Sequence, residues 1–362
     1  MLINALHAKS GGGVTHLRAI LPYLVDDPRL EIHLVFHPSQ IINLEPIPAG
    51  VHVHDMEFLR VHDGYLRILW WEQFRLPLLA RRIGARVTFS PANFGPLLVP
   101  RPVIMLRNAL EVGRRDWRPR RWVYWLVLTL MTMASLLRAR RAIAVSHYAR
   151  RALSFGLARH RISVVPHGVD PAYSPPPAGA KRREFLLAVG DIYVQKNYLT
   201  LIEALAIARR THPDLTLKIA GANVGDEYPA QVMNAIRRLG LGDAIELLGS
   251  IDRDRLASLY RDCAMLVFPS TAETFGHPLV EAMASGAPIA CSNRAAMPEI
   301  LGDAGLYFDP LDPEDMAAAI GKLIDDPDLA ARLSIAARER AQRYSWEKAA
   351  KETADILVDA GI

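Results

Sequence analysis

Short apolar runs alternate with helix-length amphipathic stretches from one end of the chain to the other, and few architectures accommodate that rhythm. The runs MLINALHA, EIHLVFH, VHVHDM, RVTFSP, PVIML and RAIAVS fill the first part, with helical stretches such as VTHLRAILPYLV between several of them. Past ISVVPHGVD and a proline-rich segment the alternation resumes with EFLLAVG, LTLKIAG, IELLGS, AMLVFPS, APIACS and GLYFDP. Neighbouring parallel strands need a crossover, and crossover helices cover the two faces of their sheet. The expected class is therefore α/β, with doubly wound parallel sheets.

The 362 residues exceed what one hydrophobic core usually supports and suit two domains of similar size. The boundary is expected in PAYSPPPAGAKRR, where proline and glycine density forbids a helix or a central strand. This divides the chain into residues 1–170, a linker at 171–183 and residues 184–345. The remaining 346–362 read as a last helix, restarted by a Ser cap after a break near Tyr344–Ser345 and able to reach back to the N-terminal domain.

Hydrophobic residues make up 51% and charged residues 22%, which excludes a disordered chain. Two cysteines, Cys263 and Cys291, form no disulfide framework or Cys/His cluster, so a reducing compartment is expected and structural zinc is not. His52 and His54 share one strand face, but no third ligand is evident nearby and no metal site is expected. The start, MLINALHAKSGGG, lacks the basic opening and longer apolar region of a signal peptide, so a cytoplasmic location is expected.

Charge is uneven, at +12 over residues 1–170 and −7 over 171–362, which points the first half towards an anionic surface. The basic residues concentrate in Arg114–Arg141, where Arg clusters flank 16 uncharged residues from Trp122 to Leu137. That run is shorter than the roughly 20 residues needed to span a bilayer. Two readings stand: an ordinary core helix, or a helix on an anionic membrane surface, peripheral to the inner face of the cell membrane. Nucleic-acid binding is not expected, because the Trp and Tyr residues gather at one end of an apolar run instead of interleaving with basic ones.

The segment ETFGHPLVEAMASGAPIACS carries two glutamates, Glu273 and Glu281, around a Gly-His-Pro step. Proline suits the opening of a helix, so Pro278 is expected to start one, with Glu273 before it and Glu281 in its first turn; Gly286 and Pro288 close it. A helix start offers an anion site, and carboxylates accept from hydroxyls, so a ligand carrying phosphate and polyol would use the whole segment. The alternative has Glu281 answering the helix dipole and Glu273 merely solvated. Lys196 follows the strand AVG before a helix and could neutralise a phosphate, or be a solvated lysine beside a capping Asn197. Gly12 and Gly13 belong to a strand-to-helix turn, open to a ligand or simply tight. His167 is placed between the domains, as a cleft residue or a hydrogen-bonded hinge histidine. Asp252–Asp254 imitates a metal-holding Asp-any-Asp element but reads as an acidic helix start.

Taken together, SGGGVTHL, AVSHYARRAL, VVPHGVD, VGDIYVQKN, FPSTAETFGHPLVEAMASGAPIACS and AAMPEILGDAGLYFDP resemble the retaining glycosyltransferases of family 4, of the glycogen synthase and mannosyltransferase kind. The resemblance implies the GT-B fold, two Rossmann-like domains facing a cleft, the first acceptor-side and the second binding a nucleotide sugar. It implies that Gly12, Gly13 and Gly190 approach the donor, that Lys196 contacts its diphosphate, and that Glu281 binds the ribose. Glu273, with the backbone of Phe275, Gly276, His277, Pro278 and Leu279, would hold sugar hydroxyls. Two departures stand out: Asp191 replaces an arginine common in relatives, and Arg107-Asn108 occupies the place of a His-Asp pair. Lys196, Glu273, Arg107 and Asn108 are the candidate catalytic residues.

The expected activity is transfer of a hexosyl unit of the mannose, glucose or rhamnose type, with GDP-mannose among the expected donors. The nucleoside diphosphate sugar would be the donor substrate, no cofactor would be required, and the acceptor would be a glycan or lipid-linked hydroxyl in envelope polysaccharide assembly. The alternatives are a sugar-nucleotide-binding protein without transferase activity and a retaining phosphorylase or hydrolase on the same fold.

Overall fold

The computed structural model describes residues 1–8, 12–37, 40, 44–54, 65–108, 119–177 and 185–362. The chain forms two compact units, Met1–Gly168 together with Ser345–Ile362, and Val169–Tyr344. Residues 171–177 of the expected linker thus belong to the second unit, where Asp170 pairs with Arg253 at 3.0 Å and the Tyr173 ring meets Tyr260 edge-on at 5.7 Å.

In the first unit the described strands are β1 (Leu2–Asn4), β2 (Ile32–Val35), β3 (Val51–His54), β4 (Thr88–Ser90), β5 (Pro102–Leu106), β6 (Arg141–Ala144) and β7 (Ile162–Val164). They form one sheet in the order β3-β2-β1-β4-β5-β6-β7 with parallel pairing throughout. Its central strands are buried along their length, which is why they read as continuous apolar runs and not as alternation. The sequence reading lacks β7, a three-residue strand at the sheet edge that runs at once into Val165-Pro166-His167-Gly168. The helices are α1 (Gly12–Val25), α2 (Tyr65–Arg82), α3 (Pro119–Arg138) and α4 (His147–Leu153).

At the opposite edge, His33 of β2 stands in register with His52 of β3, their rings stacked 4.8 Å apart, and His33 Nδ1 lies 3.0 Å from His54 Nε2. A third histidine therefore does join His52 and His54. It comes from the neighbouring strand, which a reading along β3 alone does not reach. Burial, with repulsion from the neighbouring histidines, holds His33 and His54 below the usual imidazole pKa. Among the described residues, no group of three His, Cys, Asp or Glu is arranged to hold a metal ion.

The second unit repeats the architecture with β8 (Phe185–Val189), α5 (Tyr198–Ala208), β9 (Thr216–Ala220), α6 (Glu227–Arg238), β10 (Ile245–Gly249) and α7 (Arg253–Asp262). It continues through β11 (Met265–Phe268), α8 (His277–Ala284), β12 (Ile289–Ser292), α9 (Met297–Leu301), β13 (Leu306–Phe308), α10 (Pro313–Asp325) and α11 (Pro327–Ala341). The parallel sheet runs β10-β9-β8-β11-β12-β13. Its core includes Leu186, Leu201, Leu205, Leu217, Val267 and Ile320. Asp252 caps α7 by accepting from the Arg255 N–H at 2.8 Å, so the Asp-any-Asp element is a helix start.

The last helix, α12 (Trp346–Gly361), starts at Ser345, whose hydroxyl accepts from the Lys348 N–H, and it packs on α1 within the first unit. Arg29 pairs with Asp355 at 2.8 Å and Arg141 with Asp359 at 2.7 Å, fastening its outer side. Leu357 is completely buried on its inner side. Leu357→Ala should therefore cost about 2–5 kcal/mol of stability, read as a lower denaturant midpoint for the first unit. An unchanged midpoint would show that α12 is not integral to that unit.

Candidate functional site

In an open parallel sheet, the crevice that accepts ligands lies where adjacent strands send the chain off in opposite directions. In the second unit this happens between β8, which leads to β9 and β10, and β11, which leads to β12 and β13. The expected residues of this half gather beyond the carboxyl ends of those two strands.

Gly190, next after β8, has φ +141°, and a Cβ there would stand 2.7 Å from Lys196 Cε. Glycine is what gives the lysine chain its path. Residues Val194–Lys196 form one 3-10 turn, and Asn197 follows in the left-handed region at φ +59°. The Asn197 amide donates to the carbonyls of Pro269 and Pro310, and the Thr271 N–H donates to Gln195 O at 2.9 Å. The loops after β8 and β11 are thereby bolted together, and Asn197 binds loop carbonyls and accepts from the Thr200 hydroxyl.

Lys196 is buried, and its Nζ lies 2.6 Å from Glu273 Oε1 and 5.5 Å from the centre of the Phe268 ring. The solvated-lysine and solvated-glutamate alternatives are both excluded. Burial alone would depress the ammonium pKa; the opposing pull of Glu273, with Tyr193 and Asp191, holds it above its ordinary value. Asp191 itself accepts from the Ala222 N–H at 3.0 Å and clamps the neighbouring strand end.

Helix α8 begins at His277, with Gly276 before it at φ +90° and Pro278 in its second position. The left-handed glycine turns the chain into the helix one residue ahead of the proline, so Glu281 lies in the second turn and not the first. Phe275 is buried, with its ring edge-on to His277 and Tyr344. At the far end Gly286, at φ +65°, returns its N–H to Met283 O, while the Ala287 N–H reaches Ala282 O.

Glu281 Oε2 accepts from the Tyr260 hydroxyl at 3.0 Å. Burial pushes this carboxyl up to about 7, with Asp170 adding to the rise and the Tyr260 bond and Lys196 opposing it. Asp170, Tyr173, Tyr260 and Arg253 thus border the site, and the sequence reading assigned none of them to it. The DPAY that follows HGV was the available signal, since two polar or aromatic residues precede the prolines there.

In the first unit Gly12 and Gly13 open α1, and a Cβ on Gly13 would stand 2.3 Å from the Arg107 guanidinium. Arg107 Nε donates to Pro91 O at 2.6 Å, and the backbone N–H groups of Arg107 and Asn108 share Asn93 Oδ1 at 2.9 and 3.0 Å. Burial lowers the guanidinium to about 10. Asn108 is exposed. His167 is buried, its Nδ1 3.2 Å from His16 Nδ1 and its ring 5.5 Å from that of Trp346. Thus Gly13 and Arg107 come together in one unit, Gly190, Lys196, Glu273, Phe275–Leu279 and Glu281 line one region of the other, and His167 packs under α12.

Two family models match the chain in succession, Glycosyltransferase Family 4 over residues 10–173 and Glycosyl transferases group 1 over residues 172–340. The chain belongs to glycosyltransferase family 4. Among curated members of this family it is 33% identical to a glycogen synthase of Mycobacterium tuberculosis over 211 residues, covering 57% of this chain and 50% of the relative. It is 28% identical to the MMP alpha-(1->4)-mannosyltransferase of Mycolicibacterium hassiacum over 269 residues, covering 72% and 64% of the two chains. The chain spans about half the length of the first curated relatives it matches. Solved structures share its fold: sucrose-phosphate synthase from Thermosynechococcus elongatus has a TM-score of 0.80 at 18% identity, covering 98% and 97% of the two chains. Anabaena HepE, solved with UDP and glucose, has a TM-score of 0.77 at 20% identity, covering 99% of both. The fold of this family 4 chain is that of the GT-B glycosyltransferases.

The raised Glu281 pKa makes a stability prediction. Between its ordinary value of 4.5 and about 7 the folded protein holds a proton that the unfolded chain has released, so stability from this group is fully present below 4.5 and lost as pH rises through 7. Glu281→Gln, which keeps an oxygen for Tyr260, should match the parent near pH 4.5 and be more stable at pH 8 by ~1–2 kcal/mol once screening of a half-buried group is allowed for. Denaturant melts at the two pH values check this; a variant less stable at pH 8 would contradict it.

Proposed function

We propose that this family member transfers a hexosyl unit, of mannose, glucose or rhamnose type, from a nucleoside diphosphate sugar to a hydroxyl with retention of anomeric configuration and without a required metal. The observation that carries this reading is the Lys196–Glu273 contact at 2.6 Å, beside the N-terminus of α8 and at the switch point of the second sheet. Lys196 would exchange its carboxylate partner for the donor diphosphate, and Glu273 would turn its released oxygens to sugar hydroxyls. The α8 backbone from Phe275 to Leu279 would complete the sugar site, and Glu281 would take the ribose hydroxyls.

In the transfer itself the bond from the anomeric carbon to the diphosphate oxygen breaks and the acceptor oxygen bonds to that carbon from the same face. The departing phosphate takes the acceptor proton, so no protein carboxylate need become covalently attached. Lys196 and the α8 N-terminus would stabilise the growing phosphate charge, an effect worth on the order of 10²–10³ in rate per donor group. HepE, solved with UDP-glucose, supports a nucleotide sugar donor, and WaaG, of like fold and involved in lipopolysaccharide biosynthesis, supports an envelope glycan or lipid-linked acceptor.

Incubation with UDP-, ADP- and GDP-linked glucose, mannose and rhamnose, with and without glycan acceptors, tests the reading. Transfer requires acceptor, hydrolysis does not, and a pure binding protein releases no nucleotide. Glu281→Ala should weaken binding of the free nucleoside diphosphate, whereas Glu273→Ala should leave that binding intact and lower affinity for the whole donor. Equal losses for both ligands in both variants, measured by calorimetry, would refute this division.

The membrane contact proposed for the basic segment gains a second element. On α3, Val123, Val127, Leu130 and Leu137 are exposed along one stripe, and on α2 so are Trp70, Phe74 and Leu78, at helical spacing. The exposed charges of α2 are arginines, Arg67, Arg75, Arg81 and Arg82, while its one acid, Glu72, is buried. Among the described residues no helix is long and apolar enough to cross a membrane. The protein should float with acidic vesicles at low salt and be released at high salt, each basic side chain near the surface contributing about 1 kcal/mol. Indifference to acidic vesicles at low salt would refute peripheral attachment.

A further inference from the structure

The first sheet has a switch point of its own. The chain leaves β1 towards β2 and β3, and leaves β4 towards β5, β6 and β7, although β1 and β4 are neighbours. Asn4 ends one of these strands and Ser90 the other. Glu72 of α2, with no exposed surface, reaches this point from below. Its Oε1 accepts from Asn4 Nδ2 at 2.5 Å, and its Oε2 lies 3.0 Å from Nε2 of His7, just beyond β1. Asn4 Nδ2 also lies 3.3 Å from Ser90 Oγ, and the His7 ring stands edge-on to Phe94 at 4.6 Å.

A buried carboxylate is costly unless its oxygens are paired. Both oxygens of Glu72 are committed, one to a strand-end amide and one to an imidazole that is itself only partly covered, with 14% of the His7 side chain exposed. A carboxylate accepts and does not donate, so His7 Nε2 turns an N–H towards Glu72 and Nδ1 is the ring nitrogen left facing away from it. No hydrogen bond to that Nδ1 is formed among the described residues. A ring nitrogen fixed in direction and partly open to solvent pairs with a hydroxyl, which both donates and accepts. The ligand class that fits is therefore a polyol.

We propose that His7, held by Glu72, binds the acceptor hydroxyl group at the switch point of the first sheet, as Lys196 and Glu273 serve the donor at that of the second; this rests on the transferase reading. His7 Nδ1 hydrogen-bonds a sugar hydroxyl, and Glu72 acts as the positioning residue that fixes the ring.

The test compares the parent with His7→Ala, His7→Asn and Glu72→Gln, using the donor selected by the panel and methyl α-glucopyranoside, methyl α-mannopyranoside and myo-inositol as acceptor probes. His7→Ala should raise the acceptor KM about tenfold, the scale of one lost hydrogen bond to a well-placed acceptor. Donor KM should stay at its parental value. His7→Asn, which puts an amide oxygen near the place of Nδ1, should recover part of the loss, and Glu72→Gln should raise acceptor KM with the histidine still present. A parental acceptor KM in His7→Ala overturns the proposal. Should the parent transfer to no acceptor at all, the transferase reading fails, and ring nitrogen NMR then decides the site separately: a shift of the His7 Nδ1 resonance on adding these polyols supports it, and an unmoved resonance overturns it.

Discussion

Parallel pairing constrains everything else in this protein. Each strand must be followed by a crossover, the crossovers must lie on one face or the other, and where the winding changes direction two loops part at the carboxyl edge of the sheet. In both units that edge is where polar side chains are buried together: Lys196 with Glu273 beyond β8 and β11, and Glu72 with Asn4 and His7 beyond β1. Elsewhere the same strands are almost uniformly apolar.

The Lys196–Glu273 pair illustrates what such a placement costs. Two charges taken out of water lose hydration worth several kcal/mol each, and their mutual attraction returns that only with good geometry. The surrounding loops supply the geometry: Gly190 gives the lysine room, Asn197 ties two loops by their carbonyls, and the Thr271 N–H closes the seam to Gln195. A rigid frame around a replaceable pair suits a site whose charged partners are to be exchanged for a ligand. Glu281 shows the same tension, since an unneutralised carboxylate with a pKa near 7 weakens the fold at neutral pH and retains capacity for hydroxyl groups.

Much of this was legible along the chain. Strands such as PVIML and EFLLAVG announce themselves because a strand covered on both faces must be apolar throughout, and the Glu-Thr-Phe-Gly-His-Pro segment announces a helix start through its glycine and proline. What escaped the reading depends on partners distant in sequence. His7 and Glu72 are 65 positions apart, Tyr260 and Glu281 are 21, and His33 meets His52 only through strand register. The burial of Lys196 was equally hidden, since a lysine before an asparagine looks solvated until the glycine six residues earlier is seen to make its channel. The one-residue shift of the α8 start, which moves Glu281 to the second turn, has a backbone cause in the left-handed Gly276.

The central claim is that a nucleoside diphosphate sugar separates Lys196 from Glu273. The most direct measurement is a crystal structure of the protein with its donor bound. The account predicts that Lys196 Nζ leaves the 2.6 Å contact with Glu273 Oε1 for a phosphate oxygen, while that carboxylate accepts from hydroxyls of the sugar. A donor bound with its diphosphate away from Lys196, and with the lysine–glutamate pair intact, would contradict it.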